Sequence, residues 1–205
     1  MSIYIPYISN HMTEIKHKVG IIGAGVIADF HAQALKAMQG VELVAAYARN
    51  QEKADSFSQK YGCSGYSDLT EFLKHPRMDV VTIGSVSGVH LEHATAAAQA
   101  GKHIICEKPL EVTPSRIDEM IKVCEENGVM LSGIFPRRFN DSTYIFKEAI
   151  DSGRLGKVVL CDTAIKWWRT QEYYDSGAWR GTWALDGGGA LMNQSIHTID
   201  LMLYL

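Results

Sequence analysis

Long apolar runs are missing from this sequence: no stretch approaches the roughly 20 consecutive apolar residues that a transmembrane helix needs. Long runs of charges of one sign are missing too, and the formal net charge of the 205 residues is only -3. The first residues have no basic segment followed by an apolar one, so they do not resemble a signal peptide. These absences argue against a membrane or a nucleic acid as partner, and we expect a cytoplasmic protein.

Paired cysteines are also missing. The four cysteines are scattered along the chain, with no C-x-x-C pair and no nearby histidine spaced as a further ligand. We therefore expect reduced and mostly buried thiols, with neither a disulfide nor a metal site. These cysteines are Cys63, Cys106, Cys124 and Cys161.

The sequence does have enough apolar residues, 46% of the total, to bury a core, and its length suits one full domain and part of another. Ordered patterning begins only at Lys18. We interpret residues 1–17 as a leader or an upstream extension, with Met12 as an alternative start. Residues 18–136 are predicted to form a first domain, and residues 137–205 the beginning of a second.

Apolar runs alternate with amphipathic stretches through the first domain. Several runs are apolar at nearly every position, which is typical of strands covered on both faces. One helix is expected to begin after Asn50 and stop at Gly62, and another to begin after Thr113 and end before Gly128. This alternation predicts an α/β fold with a doubly wound parallel sheet, a Rossmann domain. The predicted strands are 18–22, 41–48, 79–85, 103–106 and 129–135.

The pattern changes after Pro136. A helix is predicted over 140–152, an extended stretch over 157–169, a loop over 170–187 and a final helix from Gly189 to Leu205. An isolated strand is marginal at best, and the sequence offers the extended stretch no partner after it. We therefore predict the start of an α/β domain with an open sheet, truncated within this sequence.

A glycine-rich turn follows the first predicted strand. Its pattern is G-x-G-x-x-A, in which Gly23 permits a tight turn and Gly25 lets a pyrophosphate approach the backbone. Ala28 is small enough for close packing of helix on strand, and the helix start at Val26 and Ile27 offers amide donors to phosphates. In this position the motif predicts a dinucleotide site. The helix that follows carries an apolar pattern of Phe30, Ala34, Leu35 and Met38.

The end of the second predicted strand bears on the choice of cofactor. An NAD site usually has an acidic residue here to bind the adenosine ribose, but this chain has Ala48, Arg49 and Asn50. Arg49 can pair with a 2′-phosphate, and Asn50 can add a hydrogen bond if it is not fully occupied as a helix cap, so NADP is favoured over NAD. The alternative is that Arg49 is an exposed arginine near a helix start.

Three segments resemble the Gfo/Idh/MocA oxidoreductases, the glucose–fructose oxidoreductase and inositol dehydrogenase group. They are IGSVSGVHLEHA (83–94), GKHIICEKPL (101–110) and GGGALMNQSIHTIDLM (187–202). The resemblance covers the chain from Lys18 to Leu205. It implies a Rossmann domain followed by an α/β domain whose open sheet often forms an oligomer interface, and hence a homo-oligomer for the full-length protein.

The resemblance also implies site residues. Val86 departs from the family, which often has proline there, and we expect little effect on cofactor binding. The predicted cofactor contacts of this kind are Ser85, Val86, His90, Glu107, Lys108 and Arg137.

Lys108 directly follows an apolar strand, and the carboxyl ends of strands in open α/β sheets are where ligands bind. Its ammonium can stabilise the alkoxide of a substrate as hydride leaves. Without the Glu107-Lys108-Pro109 triplet, a surface lysine would be the simpler interpretation. The Lys108–Pro109 bond is predicted to be cis, because the family resemblance implies it and the chain must turn sharply there.

His197 lies four residues after Asn193 and three before Asp200, so the three share one face of the final helix. An imidazole with a pKa near ~6.5 can take and return a hydroxyl proton at neutral pH, which is the role of the matching histidine in the family. A lone helical histidine is otherwise more often structural. Asn193 stands where the family frequently has aspartate, and it can orient substrate or His197 without carrying charge. Lys108, His197 and Asn193 are the predicted catalytic set, and no metal is expected.

Aromatic faces and planar donors in the second domain suit a polyhydroxylated ring. Together with the dinucleotide motif, this fit and the family resemblance imply hydride transfer between NAD(P) and a secondary alcohol of a sugar, cyclitol or sugar derivative. Two alternatives are a catalytically silent cofactor-sensing regulator and a glycosidase that oxidises its substrate transiently. The predicted substrate contacts are Arg138, Trp168, Arg169, Tyr174, Trp179, Arg180, Trp183 and Asn193.

Overall fold

The computed structural model describes residues 17–205, and the predicted leader lies outside them except for its last residue, His17. Within the described residues, six strands form one parallel sheet in the order β3-β2-β1-β4-β5-β6. This order confirms the predicted doubly wound sheet. The strands are β1 (His17–Ile22), β2 (Val41–Tyr47), β3 (Ser64–Tyr66), β4 (Val80–Ile83), β5 (His103–Cys106) and β6 (Leu131–Gly133).

Helices connect the strands and cover both faces of the sheet. Buried residues form two clusters, one built around Phe72, Ile104 and Met120 and the other around Ile21 and Phe57. The central strands are therefore enclosed on both sides, as their apolar runs predicted. The helices are α1 (Val26–Ala37), α2 (Gln51–Tyr61), α3 (Leu69–Leu73), α4 (His90–Gln99), α5 (Pro114–Glu126), α6 (Asp141–Asp151), α7 (Gln171–Asp175) and α8 (Ile196–Tyr204).

The predicted helix ends are confirmed. The Asn50 side chain accepts a hydrogen bond from the backbone N–H of Lys53 at 2.9 Å, and Gly62 ends α2 in the left-handed conformation, with φ 72°. The Thr113 side chain likewise caps α5. Side-chain oxygens at these positions satisfy amides that the first helical turn leaves without partners.

Helix α1 does not bury the apolar residues that its pattern suggested. Phe30 is 62% exposed and Met38 is 56% exposed, whereas Ala28 and Ala32 are fully buried. The helix packs through alanines because it lies very close to the sheet at the glycine turn. The apolar pattern therefore predicted the helix, and Leu35 is the member of that pattern that packs partly against the core. Ala28, expected to pack closely on the strand, is fully buried.

The extended stretch 157–169 is not part of a strand. It lies almost wholly exposed, and no strand among residues 17–205 pairs with it. The backbone N–H and C=O groups of a strand need hydrogen-bond partners, and no described strand lies beside residues 157–169 to provide them. The short helix α7 lies in the segment predicted as a loop, and the two short elements β3 and α3 were not predicted.

The final helix starts at Gly189, as predicted, but its first part is irregular. Residues Leu191–Ser195 form a π-helix, which leads directly into α8. The cysteines are free, as predicted, although only Cys106 and Cys124 are fully buried and Cys161 is exposed. No helix in the described part of the chain is both long and apolar enough to cross a membrane.

Candidate active site

The candidate site lies at the carboxyl ends of β1, β4 and β5. The strand order reverses between β1 and β4, since β2 lies on one side of β1 and β5 lies beyond β4. In open parallel sheets, ligands bind in the crevice outside such a reversal. Gly23 follows β1, Ser85 follows β4 and Lys108 follows β5, so the topology brings together segments far apart in the sequence.

The two glycines of the turn have different surroundings. Gly23 has φ 115°, and a Cβ atom there would lie 2.8 Å from the carbonyl oxygen of Gly84. Gly25 has open space around the position of a Cβ atom, and it precedes α1 without a side-chain cap. The open space beside uncapped helix amides fits the pyrophosphate of a dinucleotide.

These surroundings predict separable effects of substitution. Gly23→Ala should destabilise the protein by about 1–3 kcal/mol, because the added methyl meets backbone and the φ angle suits only glycine. Gly25→Ala should cost less than about 1 kcal/mol, the scale of a helix-cap change, yet weaken cofactor binding by closing the approach to the backbone. Urea unfolding without cofactor and titration with NADH would measure the two effects. Equal loss of stability in both variants would contradict this assignment.

Arg49 and Asn50 lie exposed at the end of β2, next to the buried Ala48. The Asn50 side-chain oxygen is occupied as the cap of α2. Burial, with help from the charges of His90 and Arg49, lowers the pKa of His93 to about 4. The side chain of Arg49 is exposed, so a ligand at the end of β2 can reach it.

His90 lies inside the protein and not at the surface of the site. It is 1% exposed, and its ring nitrogens lie 3.0 Å from the carbonyl oxygen of Pro109 and 3.1 Å from that of Ser85. The imidazole therefore ties the loop after β4 to the loop after β5, and its predicted contact with the cofactor stays a prediction. The Lys108–Pro109 bond is cis, as predicted.

Glu107 is held by partners that sequence reasoning missed. Its carboxylate accepts the backbone N–H of Lys108 at 3.0 Å and lies 3.0 Å from Nε2 of His31, whose Nδ1 lies 2.7 Å from the hydroxyl of Thr82. An imidazole with its proton on Nε2 satisfies both neighbours. Helix α1 and strand β4 thus fix the segment that carries Lys108.

The Lys108 side chain reaches the final helix. Its Nζ donates to the backbone carbonyl oxygen of Asn193 at 3.2 Å. This carbonyl lies in the π-helix, where the altered hydrogen-bond spacing is a common feature of functional sites. Burial lowers the pKa of Lys108, and the nearby carboxylates of Glu107 and Asp186 oppose that effect.

His197 is half-buried at the start of α8. Its Nδ1 is buried and has no hydrogen-bond partner within residues 17–205. Burial lowers the pKa of His197, and the positive charges of Lys108 and Arg137 lower it further. The imidazole is therefore neutral near pH 7, the form that accepts a proton from an alcohol.

The two arginines after β6 contact the final helix. Arg137 donates to the hydroxyl of Thr198 at 2.6 Å, and Arg138 forms a two-pronged ion pair with Asp200, one contact of which is 2.8 Å long. Asp200 therefore faces Arg138 and is not a hydrogen-bond partner of His197. The roles of Arg137 toward cofactor and of Arg138 toward substrate stay predictions.

Six of the predicted substrate residues lie between positions 168 and 183 and fall into three pairs. Trp168 and Trp183 are 85% and 83% exposed. Arg169 and Arg180 instead stack on Tyr173, an aromatic residue that sequence reasoning missed, with guanidinium-to-ring distances of 4.8 and 4.4 Å. The exposed pair is free to meet a ligand. Tyr174 and Trp179, the remaining predicted aromatic residues, are partly buried near Gly181 and Arg180.

Comparison with known sequences identifies the family of this chain. The profile described as an oxidoreductase family with an NAD-binding Rossmann fold matches residues 17–135, and the Gfo/Idh/MocA C-terminal domain profile matches residues 145–205. The chain belongs to the Gfo/Idh/MocA oxidoreductase family. Membership confirms the resemblance seen in the three sequence segments.

Relatives of this chain include sugar and cyclitol dehydrogenases. D-glucoside 3-dehydrogenase of Escherichia coli (strain K12) is 33% identical over 94% of this chain and 55% of its own length. Myo-inositol 2-dehydrogenase of Thermotoga maritima is 29% identical over 92% of this chain and 54% of its own length. The chain thus spans about half the length of the curated relatives it matches.

A solved structure with a similar fold is the WlbA dehydrogenase from Bordetella pertussis in complex with NADH and UDP-GlcNAcA. It superposes with a TM-score of 0.90 and 34% identity, over 95% of this chain and 56% of that one. The profile over residues 17–135 describes an NAD-binding Rossmann fold, and this neighbour was solved with NADH bound.

Proposed function

We propose that this protein transfers a hydride between NAD(P) and a secondary alcohol of a sugar, cyclitol or sugar derivative. Residues 18–136 would bind the cofactor, and residues 137–205 would begin the substrate domain. The observation that carries the proposal is the 3.2 Å contact from Lys108 Nζ to the Asn193 carbonyl oxygen. It brings the ammonium after β5 to the helical segment that bears His197.

A nicotinamide bound in this crevice would accept or return the hydride. Gly23, Gly25 and the start of α1 would hold its pyrophosphate. His197, neutral because of its burial and its positive neighbours, takes the proton of the substrate hydroxyl. Lys108 donates to the same oxygen and stabilises the negative charge that develops on it.

The proposed substrate class rests on aromatic and planar side chains of the second domain. Trp168 and Trp183 offer exposed aromatic faces, which suit the C–H faces of a sugar ring. Arg169 and Arg180 add planar donors, and their charges act on Lys108. The relatives named as glucoside and inositol dehydrogenases support a polyhydroxylated substrate.

The test is net oxidation of a substrate panel by the purified protein. The panel holds hexosides, inositols and UDP-linked sugars, each with NAD and with NADP, and the reduced cofactor is followed by absorbance. Turnover that requires added cofactor in molar proportion supports a dehydrogenase. Binding of cofactor and sugar without any turnover would indicate a silent sensor, and hydrolysis without net cofactor reduction would indicate the glycosidase.

We also infer that the full-length protein is a homo-oligomer. Val159 and Leu160 lie strongly exposed in the stretch 157–169, which has no strand partner within the described residues. Exposed apolar patches of this kind are typical of association surfaces. Light scattering of the full-length protein tests the inference, and a monomer at all concentrations would contradict it.

Cofactor choice is predicted to depend on Arg49. The parent protein should bind NADPH about tenfold to a hundredfold more tightly than NADH, the range expected for one exposed charge-assisted contact to phosphate. Arg49→Ala should remove this preference, because Ala48 supplies no acidic group to favour the ribose hydroxyl. Lys53→Ala, which removes an exposed cation on the next helix, is the matched control. Tighter NADH binding that does not change in Arg49→Ala would contradict the prediction.

A further inference from the structure

Asp186 is a buried carboxylate that sequence reasoning did not identify. It is 1% exposed and directly precedes the glycine run that leads into the final helix. Its Oδ1 accepts from Nδ2 of Asn193 at 3.0 Å, and its Oδ2 accepts from the backbone N–H of Gly181 at 2.8 Å. A buried carboxylate needs such donors, so these two contacts define its orientation.

The hydrogen bond from Asn193 Nδ2 to Asp186 Oδ1 fixes the orientation of the Asn193 side-chain amide. A carboxylate only accepts hydrogen bonds, so the amide NH₂ group must face Asp186. The amide oxygen is then directed away from Asp186 and can accept a hydrogen bond from a substrate hydroxyl. The backbone oxygen of the same residue already holds Lys108, so both oxygens of Asn193 belong to the site.

Asp186 also places a negative charge near Lys108. Burial lowers the pKa of Lys108, and the carboxylates of Glu107 and Asp186 act in the opposite direction. Glu107 adjoins Lys108 in the sequence and hydrogen-bonds its backbone, whereas Asp186 comes from the second domain. Carboxylates from two different parts of the fold therefore act to raise the pKa of this ammonium against the effect of burial.

The segment that carries Asp186 is anchored on the cofactor domain. The backbone N–H of Gly88 donates to the carbonyl oxygen of Leu185 at 3.1 Å. Gly187, with φ 82°, lies so close to Val112 that a Cβ atom there would be 2.9 Å from the Cβ of that valine. Contacts on both sides of Asp186 leave the loop little freedom to move away from Asn193.

We propose that Asp186 is a positioning residue, which turns the Asn193 amide oxygen toward substrate and sets a buried negative charge beside Lys108. Its kinetic readout depends on the function proposed above. This role predicts that the carboxylate at position 186 and the side-chain amide at position 193 can be exchanged with little loss of function. The exchange needs two substitutions, Asp186→Asn and Asn193→Asp.

The experiment compares Asp186→Asn, Asn193→Asp and the double variant D186N/N193D. Asp186→Asn should lower kcat about tenfold to a hundredfold, since contacting pairs have coupling energies of that size. Asn193→Asp should lower kcat at least as much, because two carboxylates then face each other at hydrogen-bond distance. The double variant restores one carboxylate and one amide, so its kcat should recover most of the loss. Losses that simply multiply in the double variant would overturn the proposal.

A second readout needs no turnover. The pKa of Lys108 is followed by NMR of its side chain, assigned with Lys108→Arg, and NADH titration checks that each variant still binds cofactor. The pKa should fall in Asp186→Asn and rise again in the double variant, whereas Asp175→Asn, which changes an exposed carboxylate of α7, should leave it alone. These shifts without turnover in the parent would support the placement of Asp186 and contradict the proposed function. An unchanged pKa in Asp186→Asn would overturn the placement.

Discussion

Turnover is expected to fall by ~10²–10⁴-fold when His197 is replaced by alanine, the usual contribution of a positioned general acid or base. The alcohol would lose the group that accepts its proton. Cofactor binding should persist, because the glycine turn and the start of α1 lie on the first domain. The measurements are steady-state kinetics with the best substrate of the panel and titration with NADH, on the full-length protein.

The pH profile should identify the lost group. The neutral imidazole is the form that accepts a proton, and burial with the charges of Lys108 and Arg137 lowers the pKa of His197 below its usual value. Alcohol oxidation by the parent should therefore stay high down to a pH below ~6.5 and fall only as His197 becomes protonated. His197→Ala should lack this acidic limb.

A histidine elsewhere on the sheet provides the control. His103 begins β5 at the amino end of the sheet, opposite the site, where its Nδ1 accepts the backbone N–H of Met130 at 3.1 Å. His103→Ala should keep near-parental turnover and the parental pH profile. Near-normal turnover in His197→Ala would instead mean that the histidine is structural.

The fold was largely predictable because its signals are local. Buried parallel strands need continuous apolar runs, and the caps of α2 and α5 need Asn50, Gly62 and Thr113 at their ends. The elements β3 and α3 are too short for their apolar residues to show the periodicity of a strand or a helix. On the buried face of α1 the glycine motif marks Ala28, but Ala32 lies outside the motif and was missed, because a hydrophobic pattern gives more weight to large side chains such as Phe30.

The site was predictable only where a motif marks it. Lys108 and His197 follow from the strand end, the helix face and the family resemblance. Their supporting partners do not, because His31 meets Glu107 across 76 residues and Lys108 meets Asn193 across 85. Contacts at such separations arise from the crossing of chain segments, and no spacing in the sequence encodes them. Asp186 was missed for a different reason: its hydrogen bonds to Gly181 and Asn193 are local, but they lie in an irregular segment where no periodic pattern marks a buried carboxylate.

Lys108→Met is expected to lower kcat by ~10²–10³-fold, the effect of removing one donor to a developing oxyanion. Methionine keeps an unbranched apolar stem, so the change is mainly the loss of the ammonium. The parent should also lose activity at high pH as Lys108 loses its proton, at a pH below the usual lysine pKa because burial lowers it. Lys108→Met should lack this alkaline limb.

The stability of the Lys108→Met variant in urea distinguishes a catalytic role of Lys108 from a structural one. A lysine whose pKa is lowered in the folded state is charged at a cost to folding, and that cost is present at neutral pH and disappears as pH rises through the folded pKa. Lys108→Met should therefore unfold in urea at the parental concentration or above it, while activity collapses. Lys122→Met, which removes an exposed lysine of α5, should change neither property. A Lys108→Met variant that loses stability but keeps its kcat would show that Lys108 only joins the two domains through Asn193.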